Sequence, residues 1–187
     1  MTTKEASTHY GSQLALARAL GIWPTAVSQW GESPPLLRQY QILPQTIWEP
    51  ACGAGAISKR LSNRGYHVQS SDLNNHGFGA WGVDFLDAEE RLADAIVPNP
   101  PFSLAEAFIY KADTLGVQYM ALVLKAHFWH AKRRTALFAQ WQPARFYAMN
   151  WRPQFGAGSS PAMDFIWCVW DRRTPGPTTY SILEKRT

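Results

Sequence analysis

The sequence predicts an α/β protein with a mostly parallel central sheet, preceded by a small all-α helix-turn-helix module. Three observations lead there. From Thr46 onward, short apolar segments alternate with helical spacings, the pattern of strands joined by crossover helices. The run Tyr119–Leu124 is apolar throughout, as a strand buried on both faces must be. Ahead of Thr46, residues 13–30 space their apolar side chains by threes and fours around a glycine.

That front stretch reads Q-L-A-L-A-R-A-L-G-I-W-P-T-A-V-S-Q-W. Leu14, Ala17 and Leu20, then Val27 and Trp30, fall on helical spacing, interrupted at Gly21, which suits a left-handed turn closing the first helix. Pro24 fits the first turn of the next helix and leaves Thr25 and Ser28 on an exposed face. With small Ala17 where the helices would cross, this is a helix-turn-helix pattern. The expected modules are residues 1–43 and 44–187.

In the main module, strands are expected at Thr46–Trp48, His67–Ser70, Gly82–Phe85, Ala95–Pro98, Tyr119–Leu124, Ala144–Met149 and Phe165–Trp170. Helices are expected at Ala56–Asn63, Leu104–Leu115 and Arg133–Ala139. Ligands of such sheets sit beyond the carboxyl ends of the strands. There the chain carries Glu49-Pro50-Ala51-Cys52-Gly53-Ala54-Gly55, then Ser71-Asp72-Leu73-Asn74, then Val83-Asp84-Phe85, then Asn99-Pro100-Pro101-Phe102. Glycines after a strand let the backbone turn tightly near an anionic group. An acid about twenty residues further is placed like the ribose-binding acids of nucleotide folds. Prolines fix φ, so N-P-P-F is a stiff, extended elbow. Taken singly, Asp72 reads as a cap, Asp84 as a turn residue and N-P-P-F as a strand stop. Four such strand ends in succession are a much rarer conjunction.

Charge narrows the partners. The net +4 is uneven: residues 47–124 carry five Lys/Arg against nine acids, and residues 125–187 carry ten against three. That basic last third holds Trp129, Trp141, Trp151, Trp167 and Trp170, a composition suited to a polyanion with stackable bases. Lys125, His127, Lys132, Arg133 and Arg134 follow a strand end on the presumed substrate side and are candidates for phosphate or target contacts. No apolar run approaches a membrane span, so a cytoplasmic protein is expected. The two cysteines, Cys52 and Cys168, lack metal-type spacing and read as reduced thiols.

Two resemblances rest on these residues. Tyr10-Gly11-Ser12-Gln13, Ala17, Gly21, Ala26-Val27-Ser28-Gln29-Trp30, Pro34-Pro35 and Arg38-Gln39-Tyr40-Gln41-Ile42 resemble phage Cro-type repressors. That resemblance implies a second helix in the major groove, with Thr25, Ser28 and Gln29 nearest the base edges. Residues 46–172 resemble the S-adenosylmethionine-dependent amino-methyltransferases of DNA, in particular small phage-type adenine enzymes. It implies a Rossmann-like class I methyltransferase domain acting in a bacterial or phage-infected cell. The cofactor would be held by Glu49, Ala51, Gly53 and Gly55 at its methionine end. Asp72 and Leu73 would meet its ribose, and Asp84 and Phe85 its adenine. Asn99, Pro100, Pro101 and Phe102 would form the catalytic motif, with no metal and no covalent nucleophile. Double-stranded DNA is the partner implied, and a homodimer stays open. Action on RNA or protein, and a DNA-binding regulator with little catalysis, stay open as alternatives.

Overall fold

The computed structural model describes residues 46–153 and 163–184. The expected helix-turn-helix, with Thr25, Ser28 and Gln29, lies outside the described residues. Within them, β1 (Thr46–Pro50), β2 (His67–Asp72), β3 (Ala80–Trp81), β4 (Ala95–Ile96), β5 (Tyr119–Lys125), β6 (Arg145–Met149), β7 (Phe165–Asp171) and β8 (Thr179–Leu183) share one sheet. Their order is β3-β2-β1-β4-β5-β7-β6-β8. Neighbours run parallel except β7, which is antiparallel to both β5 and β6. The helices are α1 (Ala56–Ser62), α2 (Ala105–Thr114) and α3 (Thr135–Gln140).

Alternation along the strands divides the core. Met120, Leu122 and Leu124 of β5 join Trp48, Ile96 and Trp170 on one face, beneath Phe108 and Ile109 of α2 and Leu137 of α3. Tyr119 and Ala121 join Ile47, Ala95 and Val169 on the other, where Leu61 of α1 packs. The buried indole N–H groups of Trp48 and Trp170 donate to Ser71 Oγ at 2.8 Å and the Trp141 carbonyl at 3.0 Å. Both large rings are thus buried without an orphaned donor.

Two elements differ from expectation. The third strand pairs as Ser71↔Ala80 and Asp72↔Trp81, so it ends where Gly82–Phe85 was expected to begin. Gly82 has φ +76°, which turns the chain off the sheet, and Phe85–Asp87 forms a short 3-10 turn instead. Strand β8 was not expected; it follows the breaker run Pro175-Gly176-Pro177 and pairs in parallel with β6 from Arg145↔Thr179.

Gly79 sets the approach of β3 to β2. Its φ is +69°, and a Cβ there would lie 2.7 Å from the Ser70 carbonyl oxygen. Left-handed strain plus a clash with backbone that cannot swing aside should make Gly79→Ala cost about 3 kcal/mol. For a domain of this size that lowers the thermal midpoint by roughly 10 °C, which a melting curve checks.

Candidate functional site

The carboxyl ends of β1, β2 and β4 and the turn after β3 converge on one cleft of about 440 Å³. It is lined by Ala51 and Gly53 after β1, Asp72 and Leu73 after β2, Asp84 and Phe85 after β3, and Asn99-Pro100-Pro101-Phe102 after β4. The chain crosses over between β1 and β4, whose connections go to opposite sides, and such a crevice forms at that switch point.

The first loop is organised by Asp72. Its buried carboxylate accepts the Gly53 N–H on Oδ2 and the Asn74 N–H on Oδ1, both at 2.8 Å. A carboxylate offers about four lone-pair sites, so each oxygen keeps capacity for a ligand donor. Gly53 has φ +53°, and a Cβ on it would meet nothing within 4 Å, so its backbone faces open space. Asp84 accepts the Leu86 N–H at 2.8 Å through Oδ1 and opens the 3-10 turn. Behind it Phe85 is buried, 5.1 Å from Trp48 and 4.7 Å from Phe108 between ring centroids, and forms an apolar floor.

The N-P-P-F elbow spans from β4 to α2. The Val97 N–H donates to the Trp48 carbonyl at 3.1 Å, and the Leu104 N–H to the Pro101 carbonyl at 2.8 Å, so both ends are pinned. Pro98 and Pro100 are buried, whereas Asn99 is exposed in the cleft. Among the described residues, neither the Asn99 side chain nor the Pro100 carbonyl has a hydrogen-bond partner. Phe102 stacks on Phe165 with centroids 5.5 Å apart, and Lys125 Nζ lies 4.9 Å from the centre of its ring. Antiparallel β7 makes this possible, because its first residue lies opposite Lys125 at the end of β5. Phe102 also lines a second cavity of about 280 Å³, with Leu124, Lys125, His127, Phe128 and Arg134.

Some expected residues sit elsewhere. Glu49 does not line the cleft; it is 1% exposed and accepts the Ser58 N–H at 2.7 Å and the Ser58 hydroxyl. Gly55 is also away from the cleft wall, its Cα pressed so near Phe78 that a Cβ would lie 2.5 Å from the ring. Lys132 and Arg133 are exposed, although Arg133 also reaches Glu106 at 3.5 Å; Arg134 is held more fully, pairing with Glu106 at 2.9 Å, donating to the Phe128 carbonyl at 2.7 Å and stacking on the Phe128 ring. Asn74 and Val83, quoted within the strand-end stretches but given no role, line the cleft, as do His76, Leu86, Leu104 and Phe108, which were not singled out. His76 Nε2 lies 3.7 Å from Asp72 Oδ1, a contact made by the bend after β2 that no sequence spacing signals. Cys52 is buried against Gly53 and Phe78 carbonyls, and burial, then Glu49 and Asp72, push its thiol up, away from nucleophilic use.

Burial pushes the Glu49 carboxyl from its ordinary 4.5 up to about 7, against the opposing Ser58 hydrogen bonds. Because the folded group holds its proton more tightly than the unfolded one, its contribution to stability is full below 4.5 and declines as pH rises to about 7. Glu49→Gln keeps an acceptor for Ser58 and removes the titration. Relative to the wild type it should gain stability between about pH 5 and 7.5, by roughly 3 kcal/mol at most. Paired melting curves at the two pH values check this.

Comparison with known proteins places these features. A family model described as the DNA-binding transcriptional regulator Cro matches residues 2–46, the segment holding Thr25, Ser28 and Gln29. No curated protein matches the chain. A solved structure from Pyrococcus horikoshii, named for an RNA methyltransferase, is similar over 67% of this chain and 72% of its own, at 12% identity and TM-score 0.53. A variant of DNMT2 from Spodoptera frugiperda is similar over 75% of this chain and 55% of its own, at 13% identity and TM-score 0.50. The α/β unit therefore has a Rossmann-like fold that is also found in methyltransferases.

Proposed function

We propose that the protein transfers a methyl group from S-adenosylmethionine to the exocyclic N6 amine of adenine in double-stranded DNA. Residues 44–187 are assigned to transfer and residues 1–43 to a Cro-like DNA-binding module. The observation that carries this reading is the single cleft in which Gly53, Asp72 and Asp84 face Asn99-Pro100-Pro101-Phe102.

The cleft fits the cofactor. The spare lone pairs of Asp72 suit a ribose diol, and the open backbone at Gly53 admits the methionine portion. The second oxygen of Asp84 suits an adenine amine, with Leu73, Val83 and Phe85 around the ring. Glu49 supports this loop from behind, through Ser58 and α1. When bound, S-adenosylmethionine supplies an electrophilic methyl group; all else falls to the chain.

A base amine is a poor nucleophile because its lone pair is delocalised into the ring. The Asn99 side-chain oxygen accepts one amine hydrogen and the Pro100 carbonyl the other, which favours a pyramidal nitrogen with its lone pair turned outward. Prolines hold both acceptors in place before substrate arrives, so little reorganisation is needed at the moment of reaction. The nitrogen would gain the methyl group as its bond to the cofactor sulfur breaks, leaving S-adenosylhomocysteine, and would then lose one proton to water at the open mouth. Phe102, backed by buried Phe165, gives the base a stacking surface, and reaching it requires the base to leave the duplex. Exposed Lys132 and Arg133, with Lys125, supply cationic partners for the flanking phosphates, and exposed His127 supplies a ring N–H.

The test is transfer of labelled methyl from S-adenosylmethionine to duplex DNA, single-stranded DNA and RNA, with the product nucleoside identified. N6-methyladenosine from duplex DNA is expected. Transfer to RNA alone would move the assignment to RNA, and specific duplex binding without transfer would favour a regulator. Deleting residues 1–42 should alter which sites are methylated, read by sequencing modified adenines.

A further inference from the structure

Between β2 and β3 the chain reads L-N-N-H-G-F-G, residues 73–79, and the neighbours of the histidine are tied down on both sides. Ahead of it, the Asn74 N–H donates to Asp72 Oδ1 at 2.8 Å. Asn75 Oδ1 accepts the Gly77 N–H at 2.9 Å, closing a side-chain turn around His76. Beyond it, the Phe78 ring lies against Gly55, with Lys59 Nζ 4.9 Å from its centre. The Phe78 carbonyl accepts from Cys52 Sγ at 3.7 Å. The bend is thus fastened to the end of β2 and to the glycine loop after β1. His76, between these anchors, stays exposed and lines the main cleft.

Its Nε2 stands 3.7 Å from Asp72 Oδ1. That is too long for a hydrogen bond, yet short enough for one oxygen beside the pair to bond to both. The two groups are complementary. An ionised carboxylate only accepts, whereas an imidazole carrying its hydrogen on Nε2 donates. An anion placed there would meet the Asp72 charge, and a cation would meet the ring donor. A neutral hydroxyl suits both, giving its hydrogen to Asp72 and receiving the His76 N–H on a lone pair. Asp72 alone would leave those lone pairs unmet beside the apolar side chains of Leu73, Val83 and Phe85.

We propose that His76 is a ribose-binding residue beside Asp72, donating from Nε2 to a hydroxyl whose hydrogen goes to Asp72 Oδ1. The assignment rests on the reading of this cleft as the S-adenosylmethionine site. Calorimetry on the full chain tests it, with S-adenosylhomocysteine and its 2′-deoxy and 3′-deoxy analogues as probes. His76→Ala weakens binding of S-adenosylhomocysteine about ten-fold, the effect of one lost hydrogen bond. His76→Gln, whose amide N–H reaches towards the same place, restores most of it. Melting midpoints of both variants stay near wild type, because the ring is exposed. For the analogue that lacks the shared hydroxyl, wild type and His76→Ala bind alike. Unchanged affinity in His76→Ala overturns the proposal, and so does an equal loss for S-adenosylhomocysteine and both analogues. A wild-type chain that binds no S-adenosylhomocysteine overturns the cofactor reading and this assignment together. Wild-type binding with an unaffected alanine variant leaves that reading standing and removes His76 alone.

Discussion

Replacing Asn99 by alanine should lower methyl transfer by about 10²–10³-fold, the usual effect of removing one pre-positioned polar group at the reacting centre. Cofactor affinity and the unfolding midpoint should stay near wild-type values. Asn99 is exposed and no described residue depends on its side chain, while buried Pro98 and Pro100 hold the backbone without it. The remaining Pro100 carbonyl still accepts one amine hydrogen, so a residual rate is expected. Single-turnover transfer and calorimetric cofactor binding separate the outcomes. Undiminished transfer would refute the role given to Asn99. Loss of cofactor binding along with transfer would show that the residue shapes the cleft instead.

Asp72→Ala should weaken binding of S-adenosylmethionine by about 10²-fold or more, since buried groups left without partners cost roughly 1–3 kcal/mol each. The Gly53 and Asn74 N–H groups lose their shared acceptor, and the ribose hydroxyls lose theirs. Here, unlike at Asn99, stability falls as well, because the same carboxylate ties the β1 loop to the end of β2. Asp72→Asn retains one acceptor oxygen and should lie between. An alanine variant with wild-type cofactor affinity would remove Asp72 from the binding site.

The sequence carried much of this arrangement because the strongest signals were local. Tyr119–Leu124 could be nothing but a doubly buried strand, and the strand ends at Gly53, Asp72, Asp84 and Asn99 each announced themselves by turn chemistry. Their meeting in one cleft followed from the rule that parallel strands point their carboxyl ends the same way. What was not legible depended on partners distant in sequence. Arg134 looked like its exposed neighbours until Glu106 and Phe128 captured it. Glu49 stood beside the glycines in sequence, yet a strand alternates its side chains, and this one faces Ser58. Strand β8 has an alternating, half-exposed pattern that pairing with β6, and nothing local, makes into a strand. The third strand moved because Ala80–Trp81 meets β2 only after Gly79 allows the approach.

Phe102 is the dividing wall between the main cleft and the smaller cavity beside Lys125 and His127. One ring, held by Phe165, keeps two chambers apart. Trimming it to alanine would join them into a single, longer hollow. An enzyme altered in that way would be a starting point for donors carrying alkyl groups bulkier than methyl.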